Sequence, residues 1–229
     1  MTDIARYERT DGISTISLDD GKANVISPTM ISAMNSALDR AEADGTVVII
    51  AGRRRIFSAG FDLEILGRLD DETVGMLRGG FELAARLLAF PAPVVVACTG
   101  HALAMGSFLL CAADYRVGAD GDYKVGANEV AIGLPMPLPA LSILQHRLAP
   151  NLHTRSIALA EIFTPAAACG VGFLDHVVAP ERVLEEARTV AERLATLDRK
   201  AYVATKSRMR SVTIDEIRVG IDADYPVRG

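Results

Sequence analysis

Two five-residue stretches, Val47–Ala51 and Val94–Cys98, carry no charge, hydroxyl or amide, and each follows a helical pattern. An apolar run this short, without alternation, suits a strand buried on both faces. Parallel sheets covered by helices on either side are built from such strands. The pair therefore points to an α/β fold.

The flanking segments agree. Ile13–Leu18 reads as a strand closed by the turn Asp19-Asp20-Gly21. Ser27 is placed to cap a helix with Pro28 at its first position. Met30, Ile31, Met34, Ala37, Leu38 and Ala41 then recur at helical spacing, and Gly45 ends the helix. A second long helix is expected over Asp71–Phe90, weakened by Gly75, Gly79 and Gly80 and stopped by Pro91 and Pro93. Arg53–Gly60 is expected as a loop and Gly100 as a turn. A helix is expected from Gly106 to about Ala113, and a strand over Tyr115–Val117. Beyond Gly133 the pattern predicts helices at 140–148, 152–161, 165–171 and 180–197, a short strand at His176–Ala179, and a helical pair over 200–224. One α/β core, residues 1–195, with a helical C-terminal extension, 196–229, fits this order better than two independent domains.

Composition narrows the function classes. Lys and Arg number 24 against 29 Asp and Glu, a net charge of −5, which disfavours a general phosphate-backbone binder. Trp is absent and aromatics total 5%, so base-stacking platforms would be scarce. No nucleic-acid partner is expected. Cys98, Cys111 and Cys169 form no CxxC pair and read as free thiols of a reducing compartment. Met1–Glu8 lacks the apolar segment of a signal peptide, no apolar run is long enough to span a bilayer, and the last four residues match no address signal. A cytoplasmic protein with no membrane partner is the expectation. The four histidines are scattered, so no metal site is expected. GxSxG, the P-loop and GxGxxG are all missing, which removes the motif support for a serine hydrolase or a nucleotide-phosphate enzyme.

Three segments carry chemistry. Phe57-Ser58-Ala59-Gly60-Phe61-Asp62-Leu63 follows the first buried strand, and Gly60 permits an unusual turn whose N–H groups can face an oxygen. Gly100-His101-Ala102-Leu103-Ala104-Met105-Gly106 follows the second and leads into a helix, whose N-terminus supplies unpaired N–H groups. Either alone reads equally as a plain connection. Two such loops donating to one point make an oxyanion hole. The third segment, Asn128-Glu129-Val130-Ala131-Ile132-Gly133, sets one carboxylate among apolar residues. Burial would raise the pKa of Glu129 into the range of a proton shuttle, while a solvated strand end would leave it ordinary. Spacing leaves both open.

In this order and spacing the segments resemble the crotonase superfamily, the enoyl-CoA hydratase/isomerase family, and within it an actinobacterial group of enoyl-CoA hydratases. The first resembles the family's FSAGxDL loop, the second its other oxyanion loop, usually richer in glycine, and the third its catalytic-glutamate segment. Asp114-Tyr115-Arg116-Val117 and Gly21-Lys22-Ala23-Asn24 also match, and the likeness covers roughly residues 4–210. It implies a ββα spiral core with a helical extension for oligomerisation, here shortened, and a homotrimer or dimer of trimers. It also implies an acyl-CoA thioester substrate, with coenzyme A as part of that substrate and no separate cofactor. The N–H groups of Phe61 and Met105 would bind the thioester oxygen, and Glu129 would be the acid/base. Ser58, Ala59, Asp62 and Leu63 would line the coenzyme A path, with Lys22 beside it. Asp62 reads alternatively as a cap of the loop or the next helix.

The sequence departs from the family's hydratases. Their first glutamate falls three positions after the second oxyanion N–H, where this chain has Phe108. Their Gly-Gly turn is replaced by Leu134-Pro135-Met136-Pro137-Leu138-Pro139. The usual lysine after Asp-Leu is Glu64; Arg53, Arg54 and Arg55 lie upstream as another source of positive charge or as a solvated loop. One glutamate suffices for Δ3,Δ2-enoyl-CoA isomerisation, and Gly126-Ala127-Asn128-Glu129 resembles the mitochondrial isomerase branch. Isomerisation in fatty acid metabolism is therefore expected ahead of hydration or silent acyl-CoA binding.

Overall fold

A computed structural model describes residues 4–226. The expectations for Met1–Asp3 and Val227–Gly229 lie outside the described residues.

The two apolar runs are β3 (Val47–Ala51) and β5 (Val94–Cys98), adjacent parallel strands at the middle of a six-stranded sheet. Their lack of alternation has a direct cause. Val48, Ile50, Val94 and Val96 face the main core, while Val47, Ile49, Ala51, Val95 and Ala97 face a second core. That second core is closed by Val183, Ala187, Val190 and Ala191 of α7 (Val183–Ala195). Outward from this centre lie β2 (Ile13–Leu18) and antiparallel β1 (Ala5–Thr10) on one side. On the other lie β7 (Tyr115–Ala119) and β9 (His176–Val178).

The helix α1 (Pro28–Asp44) is bounded as its sequence dictates. Ser27 accepts a bond from the Met30 N–H, and Gly45 ends it at φ 67°. The second long helix, α3 (Asp71–Ala89), begins with a capping box between Asp70 and Thr73. Of its glycines, Gly80 admits a neighbour: a Cβ there would stand 2.4 Å from the Phe61 ring.

Several expectations are corrected. The stretch Arg53–Gly60 contains β4 (Arg55–Ser58), and Gly100 begins β6 (Gly100–Leu103). These two and β8 (Val125–Gly126) form a separate three-stranded parallel sheet. Their compositions, RIFS, GHAL and VG, show no strand period, and pairing within the fold makes them strands. Each of β3, β5 and β7 is thus followed by a strand of the second sheet and then by helix. After β4 come α2 (Leu63–Leu66) and α3, after β6 comes α4 (Met105–Ala112), and after β8 comes α5 (Leu138–Arg147). This is the ββα recurrence the resemblance implied.

The segment 152–161 holds only a 3-10 turn at Pro150–Leu152 and a π turn at Thr154–Ala158, before α6 (Pro165–Val171). The expected helical pair at the tail is one 26-residue helix, α8 (Arg199–Asp224). No proline interrupts it, and Gly220 serves packing, since a Cβ there would lie 2.9 Å from the Pro139 nitrogen. Ile214, Ile217 and Ile221 of α8 belong to the main core, so the tail is integral to the molecule.

Candidate active site

Three loops converge where the two sheets meet α4. The turn at Gly21–Asn24 is stitched to the loop after β4: Asn24 is fully buried, and its side-chain amide donates to the carbonyls of Leu18 (2.9 Å) and Phe57 (3.1 Å). Ser58 returns the link by donating its hydroxyl to the Asn24 carbonyl at 2.7 Å, and the Ala59 N–H donates to the Ala23 carbonyl at 3.0 Å. Arg53 holds the same turn through the Lys22 carbonyl, 2.8 Å away.

The loop after β4 then meets the start of α4. Gly60 has φ 98°, and a Cβ there would stand 2.7 Å from the Ala104 Cβ and 3.3 Å from the Met105 nitrogen. Only glycine permits that approach. Ala104 itself sits at φ 49°, ψ −127°, a strained conformation for a residue with a Cβ, immediately before α4. The turn leaves Met105 at the first helical position, where its N–H has no partner in the preceding turn. Among the described residues, neither the Phe61 nor the Met105 N–H donates to a protein acceptor. Two unspent donors thus lie on two touching loops, one reinforced by a helix N-terminus.

These loops open on a cavity of about 330 Å³. Ala59, Phe61 and Leu63 line it, with Ala104 from the second loop. Glu129 enters from the third segment, just before a 3-10 turn over Val130–Ile132. It is 7% exposed, and its Oε2 has no hydrogen-bond partner. Desolvation pushes its carboxyl up to about 7. The alternative of a solvated strand end is thereby removed. Beside it, the Asn128 side-chain oxygen is also buried and unpartnered.

Phe108 completes one wall. It is 1% exposed and stacks on Phe81 of α3 at 6.1 Å between ring centres; Phe61 meets Phe81 edge-on at 5.8 Å. The remaining expected residues stand apart from the lining, Met105 among them: it is fully buried at the start of α4, behind Ala104. Ser58 is fully buried with its hydroxyl committed to the loop. Asp62 caps α2, accepting from the Glu64 and Ile65 N–H groups. Lys22 is exposed on the surface turn.

Sequence reasoning missed Leu66, Leu77, Phe81 and Tyr225 as lining residues. Leu77 and Phe81 are four apart on α3, an apolar face that sequence alone assigns only to core. Tyr225 follows α8 and had no signal beyond being an isolated aromatic past a helix end.

No three His, Cys, Asp or Glu side chains gather as a metal site would require, among the described residues. No helix among the described residues is long and apolar enough to cross a membrane.

A family model described as enoyl-CoA hydratase/isomerase matches residues 8–226. A solved enoyl-CoA isomerase of Mycobacterium tuberculosis superposes with a TM-score of 0.93 at 46% identity, over 97% of this chain and 98% of that one. A solved enoyl-CoA hydratase of Mycobacterium marinum gives the same score and identity, over 97% and 99%. Among curated relatives, the rat mitochondrial enoyl-CoA delta isomerase 1 is 29% identical over 226 residues, 96% of this chain and 78% of the relative.

Proposed function

As this chain belongs to the enoyl-CoA hydratase/isomerase family, we propose that within it the protein catalyses Δ3,Δ2-enoyl-CoA isomerisation, with Glu129 as the single proton carrier. The family includes proteins named for isomerisation and others named for hydration. One observation carries the choice: Glu129 is the only carboxylate lining the cavity among the described residues, and Phe108 stands where a second would be.

The chemistry follows from that arrangement. The Phe61 and Met105 N–H groups receive the thioester oxygen. Glu129, ionised, removes a proton from C2, and the electron pair moves into the thioester, leaving a dienolate whose oxygen the two donors stabilise. Each donor contributes about 3 kcal/mol by analogy with other oxyanion holes. The same carboxyl then returns its proton to C4, and the double bond ends between C2 and C3. No water takes part. The rings of Phe61, Phe81 and Phe108 keep the cavity apolar, which raises the basicity of Glu129 and denies water a hydrogen-bonded seat.

Coenzyme A enters as part of the substrate, along Ala59 and Leu63 and past the turn carrying Lys22. Arg53 is already engaged with Lys22 and Asp19, which favours its serving that turn over a phosphate contact.

Parallel incubations with a 3-enoyl-CoA and a 2-enoyl-CoA, followed by chromatography and mass spectrometry, test the reading. The expected result is conversion of the 3-enoyl compound to its conjugated isomer at unchanged mass. Gain of one water by the 2-enoyl compound without isomerisation would replace the reading by hydration. No change in either, with acyl-CoA binding retained, would replace it by a binding role.

A further inference from the structure

Among the described residues, three polar side chains line the cavity: Asn128, Glu129 and Tyr225. The first two come from the catalytic segment. Tyr225 comes from the other end of the chain, and its arrival is arranged by several contacts. Arg78 of α3 donates to the carbonyls of Tyr225 at 2.6 Å and Ile221 at 3.4 Å, and pairs with Asp222 at 2.7 Å. Asp224 accepts the Leu138 N–H at the start of α5 at 2.6 Å. Between these anchors the Tyr225 ring lies nearly parallel to Phe81, 12° from coplanar at 6.0 Å. Phe108, Phe81 and Tyr225 therefore form one stacked aromatic wall, supplied by three separate helices or helix ends.

The wall adjoins the loop that carries Phe61: its middle ring, Phe81, meets the Phe61 ring edge-on at 5.8 Å. Ala59, Phe61, Leu63 and Glu129 line the same cavity as the wall. On the acyl-CoA reading, these rings are the apolar surface that an acyl chain extending past C4 would meet. Burial and the neighbouring acids Asp224 and Glu129 hold the Tyr225 phenol well above its ordinary pKa. The group therefore stays neutral across the working range and costs the apolar end of the cavity no buried charge.

We propose that Tyr225 is a specificity-determining residue: its ring, docked by Arg78 and Asp224, ends the acyl-binding cavity from within the same chain and so sets the longest acyl chain that is accommodated. The proposal rests on the acyl-CoA reading above and deepens it.

The test measures calorimetric affinities of saturated acyl-CoA thioesters of 4, 8, 12 and 16 carbons for the wild type, Tyr225→Ala and Tyr225→Phe. In the wild type affinity rises with length and then levels where the chain meets the ring. In Tyr225→Ala the levelling moves to a longer chain, and the first chain beyond the wild-type limit gains about tenfold relative to the shortest, as one or two newly buried methylenes would give. Tyr225→Phe keeps the wild-type limit because it keeps the ring. An unchanged limit in Tyr225→Ala would overturn the proposal, as would a limit moved equally by Tyr225→Phe. Saturated ligands need no turnover, so absence of isomerisation with these profiles intact would count against the reaction and leave the wall standing.

Discussion

Glu129 and Asp114 are both carboxylates removed from bulk water, and the chain treats them in opposite ways. Asp114, its side chain 13% exposed, accepts from Lys206 at 2.8 Å, Arg210 at 2.9 Å and the Val94 N–H at 2.7 Å. Those partners fasten the start of β5 to α8. Glu129, buried more deeply, keeps one oxygen with no partner at all. A buried acid satisfied on every side is a fastening; one left unsatisfied at the edge of a cavity is what the proposed proton carrier requires. Isosteric removal of each charge separates the two uses.

Glu129→Gln should give the largest effect. With no carboxylate to move the proton, turnover of a 3-enoyl-CoA should fall about 10³- to 10⁴-fold, while saturated acyl-CoA still binds. Steady-state rates beside calorimetry on the same preparation read both. Turnover surviving the change would place the base elsewhere.

Asp114→Asn should do the reverse. Burial already pulls the Lys206 ammonium down to about 8 with Asp114 beside it. Without the carboxylate, Lys206 is driven toward its neutral form and Arg210 is left as a buried cation without its partner, and stability should drop by about 3 kcal/mol. Urea unfolding reads the loss, and activity per folded molecule at low temperature should stay within a few-fold of wild type. A loss of activity exceeding the loss of folded protein would tie α8 to the chemistry more tightly than the anchoring of Tyr225 requires.

The pH dependence sharpens the contrast further. A carboxyl raised from 4.5 to about 7 by burial binds its proton more tightly in the native state than in the unfolded chain. Its contribution to stability is therefore fully present below pH 4.5 and is lost as pH rises through 7, on the order of 3 kcal/mol at the limit. Comparing unfolding curves of the wild type and Glu129→Gln from pH 4 to 8.5 should show the variant gaining ground from about pH 4.5 and levelling above about pH 7. Over the same window kcat/KM of the wild type should rise with an apparent pKa near 7, because the base must be ionised to begin. A flat difference in stability between the two proteins would mean that Glu129 reaches water in the native state.

How much of this was legible in the sequence depended on what fixes each feature. β3 and β5 were readable because burial on two faces imposes its own composition over five residues. The ends of α1 were readable because Ser27, Pro28 and Gly45 act locally. The second sheet was not, since β4, β6 and β8 become strands only through one another. The two loops proposed to form an oxyanion hole could be located in the sequence by resemblance, but not the approach between Gly60 and Met105, which belongs to chain segments some forty-five residues apart. Tyr225 was invisible for a related reason: its place depends on Arg78, nearly one hundred and fifty residues away.

Asp62 is a third kind of carboxylate, and the smallest expected effect. Its oxygen is neither orphaned nor paired with a cation; it accepts the Glu64 N–H at 2.9 Å and the Ile65 N–H at 3.4 Å at the start of α2. A cap of this kind contributes about 1 kcal/mol, and asparagine caps nearly as well as aspartate. Asp62→Ala should therefore cost about 1 kcal/mol in urea unfolding, Asp62→Asn a few tenths. The adjoining Phe61 N–H gives the change a second readout. If the carboxylate only braces the loop, Asp62→Asn leaves KM for the enoyl-CoA near its wild-type value, and Asp62→Ala lowers kcat through a loosened donor. If the carboxylate also meets coenzyme A, Asp62→Asn alters KM while stability stays put. Only the second pattern would move Asp62 from the fastening class of Asp114 toward the working class of Glu129.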